Sequence, residues 1–245
     1  MKNVITLGDS VELLTKVPTE SIDLIWTDPP FNTNTRQKHS SGYGYDDKHT
    51  DYYGMMKSIC SDSFRVLKPT GSLIMLLDYR AVHNIKVILD EYFTEDNFRG
   101  EIIWLSELGN ISKKAWSVKH CTMLWYTKSD KYKFYFDRVP KTIRKAKKEG
   151  YDSFKPVNSV WDLTLSNTDP ERVSYPNQKP LAIIEPFIDV HTDVGDCVLD
   201  YFSGSGSTAV AAKKMKRDFI AFDRNPQSIE IGTLRLKELY DVEVL

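Results

Sequence analysis

Seven apolar runs recur along the chain with helix-like segments between them, and this alternation limits the fold more than any other feature. The runs are NVITLGD, IDLIWTD, GSLIMLLD, EIIWLS, CTMLWYT, DCVLDYF and RDFIAFD. Helical patterning falls between them, around residues 52–66, 80–92, 181–191, 206–215 and 227–239. Strands alternating with helices predict an α/β sheet covered on both faces. Five of the runs end in or just before Asp or Ser, and several feed a glycine or proline turn. Ligands of open α/β sheets bind beyond the carboxyl ends of the strands, so chemistry is expected at those endings.

At 245 residues the chain suits one domain with at most a small insertion. Two stretches break the alternation. Residues 32–48 are polar and hold Gly42 and Gly44, which predicts a mobile loop rather than a packed element. Residues 129–157 interrupt the sheet pattern and read as a small basic insert, too short to be a domain. No apolar run is long enough to span a bilayer, and the start MKNVITLGDS lacks the apolar block of a signal peptide. Cys60, Cys121 and Cys197 lie far apart without CxxC spacing, and the five histidines show no ligand spacing. Neither a disulfide framework nor a metal is expected, and a reducing cytoplasm is the default. The formal charge of −1 argues against a uniformly basic coat but leaves room for a local basic face.

The second run drives straight into Asp28-Pro29-Pro30-Phe31. Each proline fixes its own φ and restricts the residue before it, so the strand must end in a stiff corner. That corner offers a carboxylate, an aromatic ring and backbone carbonyls, a grip suited to an amino group on a flat ring. Near the other end, CVLDYFSGSGSTAVAAKK takes a strand into Ser203-Gly204-Ser205-Gly206 and then a helix of small residues. Glycines permit a tight turn with close ligand approach, and the free N–H groups of a helix start favour a carboxylate or phosphate. The next strand ends at Asp223, a separation suited to an acid that grips a ribose. The spacing is neither GxGxxG nor that of a P-loop. Tight packing alone is the alternative for an isolated glycine pair.

Taken together, the DPPF corner early and FSGSG late resemble the amino-methylating DNA methyltransferases, in the motif order of their β class. GDSVELLTKVPTESIDLIWTDPPFNT, FRVLKPTGSLIML, EIIW followed by HCTMLWYTK, and VWDL followed by YPNQKPLAIIEPFI are similar to successive segments of that family. The resemblance implies a class I methyltransferase fold, a Rossmann-like mixed sheet circularly rearranged so that the catalytic half precedes the cofactor half. It implies S-adenosylmethionine as cofactor and double-stranded DNA as substrate, in the cytoplasm of a prokaryotic cell or a phage-infected host. Asp28, Pro29, Pro30 and Phe31 would hold the base. Asp9 would accept from the cofactor's adenine amino group, with a helix N-cap as its alternative role. Asp223 would hold the ribose. Phe202, Ser203, Gly204, Ser205, Gly206 and Thr208 would cradle the methionine part, and Lys179 would lie near its carboxylate or be a solvated charge. Asp28 and Asp200 complete the expected cofactor-binding set. Asp rather than Ser at position 28 resembles the adenine-modifying branch, with cytosine-N4 as the alternative. Methylation of RNA or of protein glutamine, and an inactive DNA-binding module, are the more distant ones. Phe31 stands where the family more often has tyrosine.

The resemblance also places target recognition in the basic insert. From Lys128 to Lys148 there are nine Lys or Arg against Asp130 and Asp137, a local balance of +7. Lys141, Arg144, Lys145, Lys147 and Lys148 are the DNA-contact candidates there, joined by Arg36, Lys38, Lys113 and Lys114 elsewhere. Tyr132, Phe134, Tyr135 and Phe136 would either stack on bases or pair as an ordinary strand at the sheet edge. An insert this small predicts a short recognition site, or a homodimer or second subunit that supplies part of the grip.

Overall fold

The seven apolar runs all become strands of one sheet in the computed structural model, which describes residues 2–33, 35–38, 44–47, 49–105, 113–144, 153–162, 169–173 and 175–240. In chain order the strands are β1 (Val4–Leu7), β2 (Ile22–Thr27), β3 (Thr35–Lys38), β4 (Gly44–Asp47), β5 (Leu67–Leu77), β6 (Phe98–Leu105), β7 (His120–Thr127), β8 (Lys141–Arg144), β9 (Ser153–Pro156), β10 (Val160–Asp162), β11 (Cys197–Asp200) and β12 (Asp218–Asp223). The helices are α1 (Ser10–Leu14), α2 (Tyr52–Val66), α3 (Val82–Phe93), α4 (Leu181–His191), α5 (Ser207–Lys214) and α6 (Pro226–Tyr240). The five expected helices match α2 to α6 to within two residues at each end.

The main sheet runs β1-β12-β11-β2-β5-β7-β6-β10. Only β7 is antiparallel to its neighbours. The first strand pairs with the last, Leu7 opposite Asp223, and β11 joins β2 through Val198 opposite Leu24. Both faces are covered. Ile25, Leu73, Met75, Leu77, Leu199 and Phe222 pack under α1, α2 and α3. Leu24, Trp26, Ile74, Leu76, Val198 and Ala221 pack under α4, α5 and α6. Side chains of period two supply both cores at once, which is why β2 and β5 read as unbroken apolar runs.

Two expectations need correction. The stretch 32–48 contains the antiparallel hairpin β3–β4, with Thr35 opposite Asp47. Asp47 is buried, and its carboxylate accepts the N–H groups of Asn32 at 2.8 Å and Thr33 at 2.9 Å and the Thr33 hydroxyl at 2.6 Å. Charge-assisted bonds to backbone, rather than apolar burial, hold the hairpin to the DPPF corner, so hydropathy gives no sign of it.

The aromatic part of the insert is not a strand, and three of its four rings pack against the fold. Phe134 stacks on Trp125 at 5.3 Å, and Tyr132 meets the same ring edge-on. Tyr135 lies under the Arg138 guanidinium at 3.8 Å and donates its hydroxyl to Asp193 at 2.6 Å. Lys133 pairs with Asp193 and Asp196, and Lys128 donates to the Leu67 carbonyl at 2.9 Å. Arg138 donates to the Thr192 carbonyl at 3.0 Å. The polar partners Leu67, Thr192, Asp193 and Asp196 sit where β5 and β11 begin, the end of the sheet opposite the expected chemistry. Lys128, Lys133 and Arg138 are therefore structural cations, and the basic count of this stretch overstated its DNA-facing charge. Beyond them, β8 and β9 form a second hairpin, and β10 adds an eighth strand beside β6.

Candidate active site

Beyond the carboxyl ends of β1, β2, β11 and β12 lies one cleft, at the point where strand order reverses between β11 and β2. The stiff corner Asp28–Phe31 and the elbow residues Phe202, Ser203, Gly204 and Ser205 both line it. The two motifs, more than 170 residues apart in the chain, thus share one crevice.

Asp28 sits in this cleft with its side chain 20% exposed. One carboxylate oxygen, Oδ2, accepts from Lys179 Nζ. The other, Oδ1, is buried and has no hydrogen-bond partner among the described residues. Burial raises the Asp28 pKa above the ordinary carboxylate value, and the neighbouring Lys179 ammonium opposes that shift. Lys179 also donates to the Asn177 carbonyl at 3.1 Å, and its Nζ stands 5.6 Å from the centre of the Phe31 ring. Its ammonium is thus held on the corner carboxylate rather than solvated.

The elbow is built from local backbone geometry. Gly204 and Gly206 have φ of +48° and +76°, the left-handed region that costs other residues energy. The Gly206 N–H donates to the Ser203 carbonyl at 2.8 Å, closing the turn. Asp223 accepts from the Gly204 N–H at 2.8 Å through Oδ2 and from the Asn225 N–H at 2.8 Å through Oδ1. Burial raises its pKa despite those bonds. The Ser203 hydroxyl is buried in the cleft wall without a partner among the described residues.

Arg235, which the sequence reading passed over, is buried and reaches from α6 to the elbow. It donates to the Ser205 carbonyl at 2.8 Å and the Ser207 hydroxyl at 3.0 Å. Its signal was positional: Ser228, Ile231, Arg235 and Leu236 form the buried stripe of α6, where a charge stands out. Tyr175 braces the same region through its hydroxyl and that of Ser228, 2.7 Å apart. His49 also lines the cleft, and its Nε2 is buried without a hydrogen-bond partner among the described residues.

Asp200 and Thr208 line the cleft, yet their polar atoms serve the fold. Asp200 accepts from Thr208 Oγ1 at 2.6 Å, from the Phe202 N–H at 3.1 Å and from Thr27 Oγ1 at 3.1 Å. Burial pushes the Asp200 pKa up to about 7. Because the folded pKa exceeds the unfolded one, folding takes up a proton between the two values. The associated stability is complete below the unfolded pKa and is lost as pH rises through about 7. The urea midpoint is expected to fall between about pH 4 and pH 7, and Asp200→Asn to flatten that slope. An equal slope in both proteins would show that Asp200 stays ionised throughout.

Asp9 is the N-cap of α1 and also lines the cleft. Its Oδ1 caps α1, accepting from the N–H groups of Val11 at 2.9 Å and Glu12 at 3.3 Å, while the residue lines the cleft beside Asp223.

The DNA-contact candidates divide. Lys113 and Lys114 are exposed ahead of β7, next to Trp116, which is 98% exposed. This segment leads to Cys121, whose thiol burial pushes up to about 11 and whose surroundings include the Lys179 and Asp28 charges. Lys141 is exposed at the start of β8. Arg36 and Lys38 lie in β3 and Arg144 in β8, placed by their backbones alone. Lys145, Lys147 and Lys148 fall outside the described residues. Among the described residues, no group of three His, Cys, Asp or Glu could hold a metal ion, and no helix is long and apolar enough to cross a membrane.

Known proteins resemble this chain in sequence and in fold. The Type II methyltransferase M.HinfI of Haemophilus influenzae is 31% identical over 270 residues, spanning 99% of this chain and 72% of that protein. The DNA adenine methyltransferase YhdJ of Escherichia coli (strain K12) is 29% identical over 243 residues, spanning 94% of this chain and 81% of its own length. In three dimensions the PvuII DNA methyltransferase (cytosine-N4-specific) superposes with a TM-score of 0.73 at 22% identity, covering 94% of this chain and 85% of its own. Residues 22–233 match the DNA methylase family from β2 into α6, corner and elbow included, and the chain belongs to that family.

Proposed function

We propose that this protein transfers a methyl group from S-adenosylmethionine to the N6 amino group of adenine in double-stranded DNA. The observation that carries the reading is the shared cleft, in which an acceptor corner faces a glycine elbow. The cleft fits the cofactor's polar amino-acid end, because the Ser203 hydroxyl is buried there without a partner among the described residues. Ser203 to Gly206 would hold that end. Asp223 would accept from the ribose hydroxyls, and Asp9, with Oδ1 committed to the helix cap, would offer Oδ2 to the adenine. When bound, the cofactor supplies an electrophilic methyl group on a sulfonium.

The remaining work falls to the chain. An exocyclic amino group is a poor nucleophile because its lone pair is delocalised into the ring. Asp28 and the Pro29 carbonyl would accept its two N–H bonds and draw them out of the ring plane, while Phe31 stacks on the base. Holding the reacting atoms in line contributes about 7–11 kcal/mol to the barrier reduction. Positive charge developing on nitrogen meets the Asp28 carboxylate, which stabilises it. Asp28, its proton affinity raised by burial, then takes the released proton. A duplex hides this amino group, so the base must swing out into the cleft.

Adenine is favoured by Asp at position 28 and by the name of the YhdJ relative. The pairing of β1 with β12 and of β11 with β2 supports a circularly rearranged strand order. A second copy or subunit would supply DNA contacts that the short insert, with Lys128, Lys133 and Arg138 tied into the fold, does not. The test is incubation with labelled S-adenosylmethionine and unmodified genomic DNA, followed by nucleoside analysis. Label on N6-methyladenine is the expected result. Label on N4-methylcytosine would correct the base, and unlabelled DNA would remove DNA as the substrate.

A further inference from the structure

We propose that Lys179 is a two-position cation: it bars the base slot while the cofactor is absent and leaves it when the cofactor binds, so that cofactor binding precedes base capture. This inference rests on the proposed reading of the cleft and adds an order of events to it.

The geometry begins with what occupies Asp28. Of the two Asp28 oxygens, Oδ2 is taken by Lys179 Nζ, and Oδ1 is buried and unpartnered among the described residues. The same Nζ lies 5.6 Å from the centre of the Phe31 ring. The ammonium therefore stands between the carboxylate and the aromatic face, in the space a flat base must enter. A base stacked on Phe31 and bonded to Asp28 Oδ2 competes with it for that position.

The lysine is also built to move. Its backbone is pinned at the glycine elbow, where the Lys179 carbonyl accepts from the Ser207 hydroxyl at 2.9 Å. Its side chain is a flexible stem with a compact charge. From one anchored Cα, the stem serves the catalytic corner or the start of α5, where helix N–H groups and the Ser203 hydroxyl favour an anion.

Charge balance gives the direction of the change. A buried carboxylate without a counter-charge is costly, so in the free protein the ammonium is held on Asp28. A carboxylate bound at the elbow offers Lys179 a second anion, and Asp28 is then free to accept an N–H bond of the base. The two ligands are coupled through one side chain, and the coupling is reciprocal.

The test uses S-adenosylhomocysteine, which keeps the carboxylate but cannot donate a methyl group, and a duplex carrying 2-aminopurine at the base found methylated. With wild-type protein, the emission that reports an unstacked base is expected to rise at least about fivefold more with S-adenosylhomocysteine than without it. In Lys179→Met the rise is expected to appear without the cofactor product, and Lys179→Arg is expected to restore the dependence. Thermal melting of each variant separates these effects from misfolding, and Lys179→Gln replaces Lys179→Met should the latter melt early. Two results would overturn the proposal. One is wild-type emission equal with and without S-adenosylhomocysteine. The other is a Lys179→Met or Lys179→Gln protein that binds S-adenosylhomocysteine more weakly yet keeps low emission in its absence, the behaviour of a plain carboxylate ligand. A wild-type protein that binds neither probe would instead strike the reading of the cleft.

Discussion

Asp28→Ala is expected to reduce methyl transfer by about 10²–10³-fold or more, the loss typical when one prepositioned group facing developing charge is removed. Cofactor affinity is expected to stay within about threefold, since the ribose and amino-acid grips lie elsewhere in the cleft. The carboxylate does three jobs in the proposed reaction: it accepts an amino N–H, faces the positive charge on nitrogen, and receives the proton. Alanine removes all three, whereas Asp28→Asn keeps one acceptor oxygen and should fall between the two. Single-turnover methylation measured beside calorimetric titration of cofactor separates chemistry from binding. The fold should tolerate the change, because among the described residues no backbone group depends on Asp28, whose one hydrogen bond there is to the Lys179 side chain. Loss of the folded state in Asp28→Ala, or turnover within tenfold of wild type, would make that carboxylate structural.

Gly206→Ala should be among the most destabilising single substitutions at the elbow. Two costs coincide. With φ of +76°, any L side chain meets its own backbone, at about 1–2 kcal/mol. A Cβ there would also stand 2.9 Å from the Gly232 Cα, where α6 crosses the elbow, and forcing apart packed backbone adds about 1–3 kcal/mol. Gly232→Ala offers the control. Its Cβ would meet the Ile5 Cδ1 tip at 2.8 Å, a flexible end that can yield, and Gly232 carries no positive φ. Urea denaturation should therefore rank wild type above Gly232→Ala and Gly232→Ala above Gly206→Ala. Cofactor affinity should fall with the last, because the N–H groups of the elbow shift with the backbone. Equal stability of the two variants would mean that α6 slides to relieve the contact.

Much of this architecture was written locally in the chain. Runs such as GSLIMLLD and DCVLDYF must be strands because continuous apolar residues pay off only where both sheet faces are covered, and α2 and α4 follow helical patterning to the residue. Pro29-Pro30 fix backbone geometry by covalent structure, and Gly204 with Gly206 permit a turn that other residues resist, so corner and elbow were legible before any tertiary contact was known. The resemblance of the segments around them supplied a reaction.

What the chain alone did not reveal were partnerships between distant residues. Lys179 meets Asp28 across 151 positions, and Arg235 reaches Ser205 across 30. Lys128, Lys133 and Arg138 looked like a DNA-facing charge because sequence shows how many cations lie together, not at which end of a sheet they emerge. Asp47 pinned a hairpin that looked like loose polar chain. Local propensity acts over a few residues through sterics and solvation, so sequence determined the elements and turns. The partner of each buried charge depends on which strand ends the completed sheet brings together, and only the tertiary structure decided that.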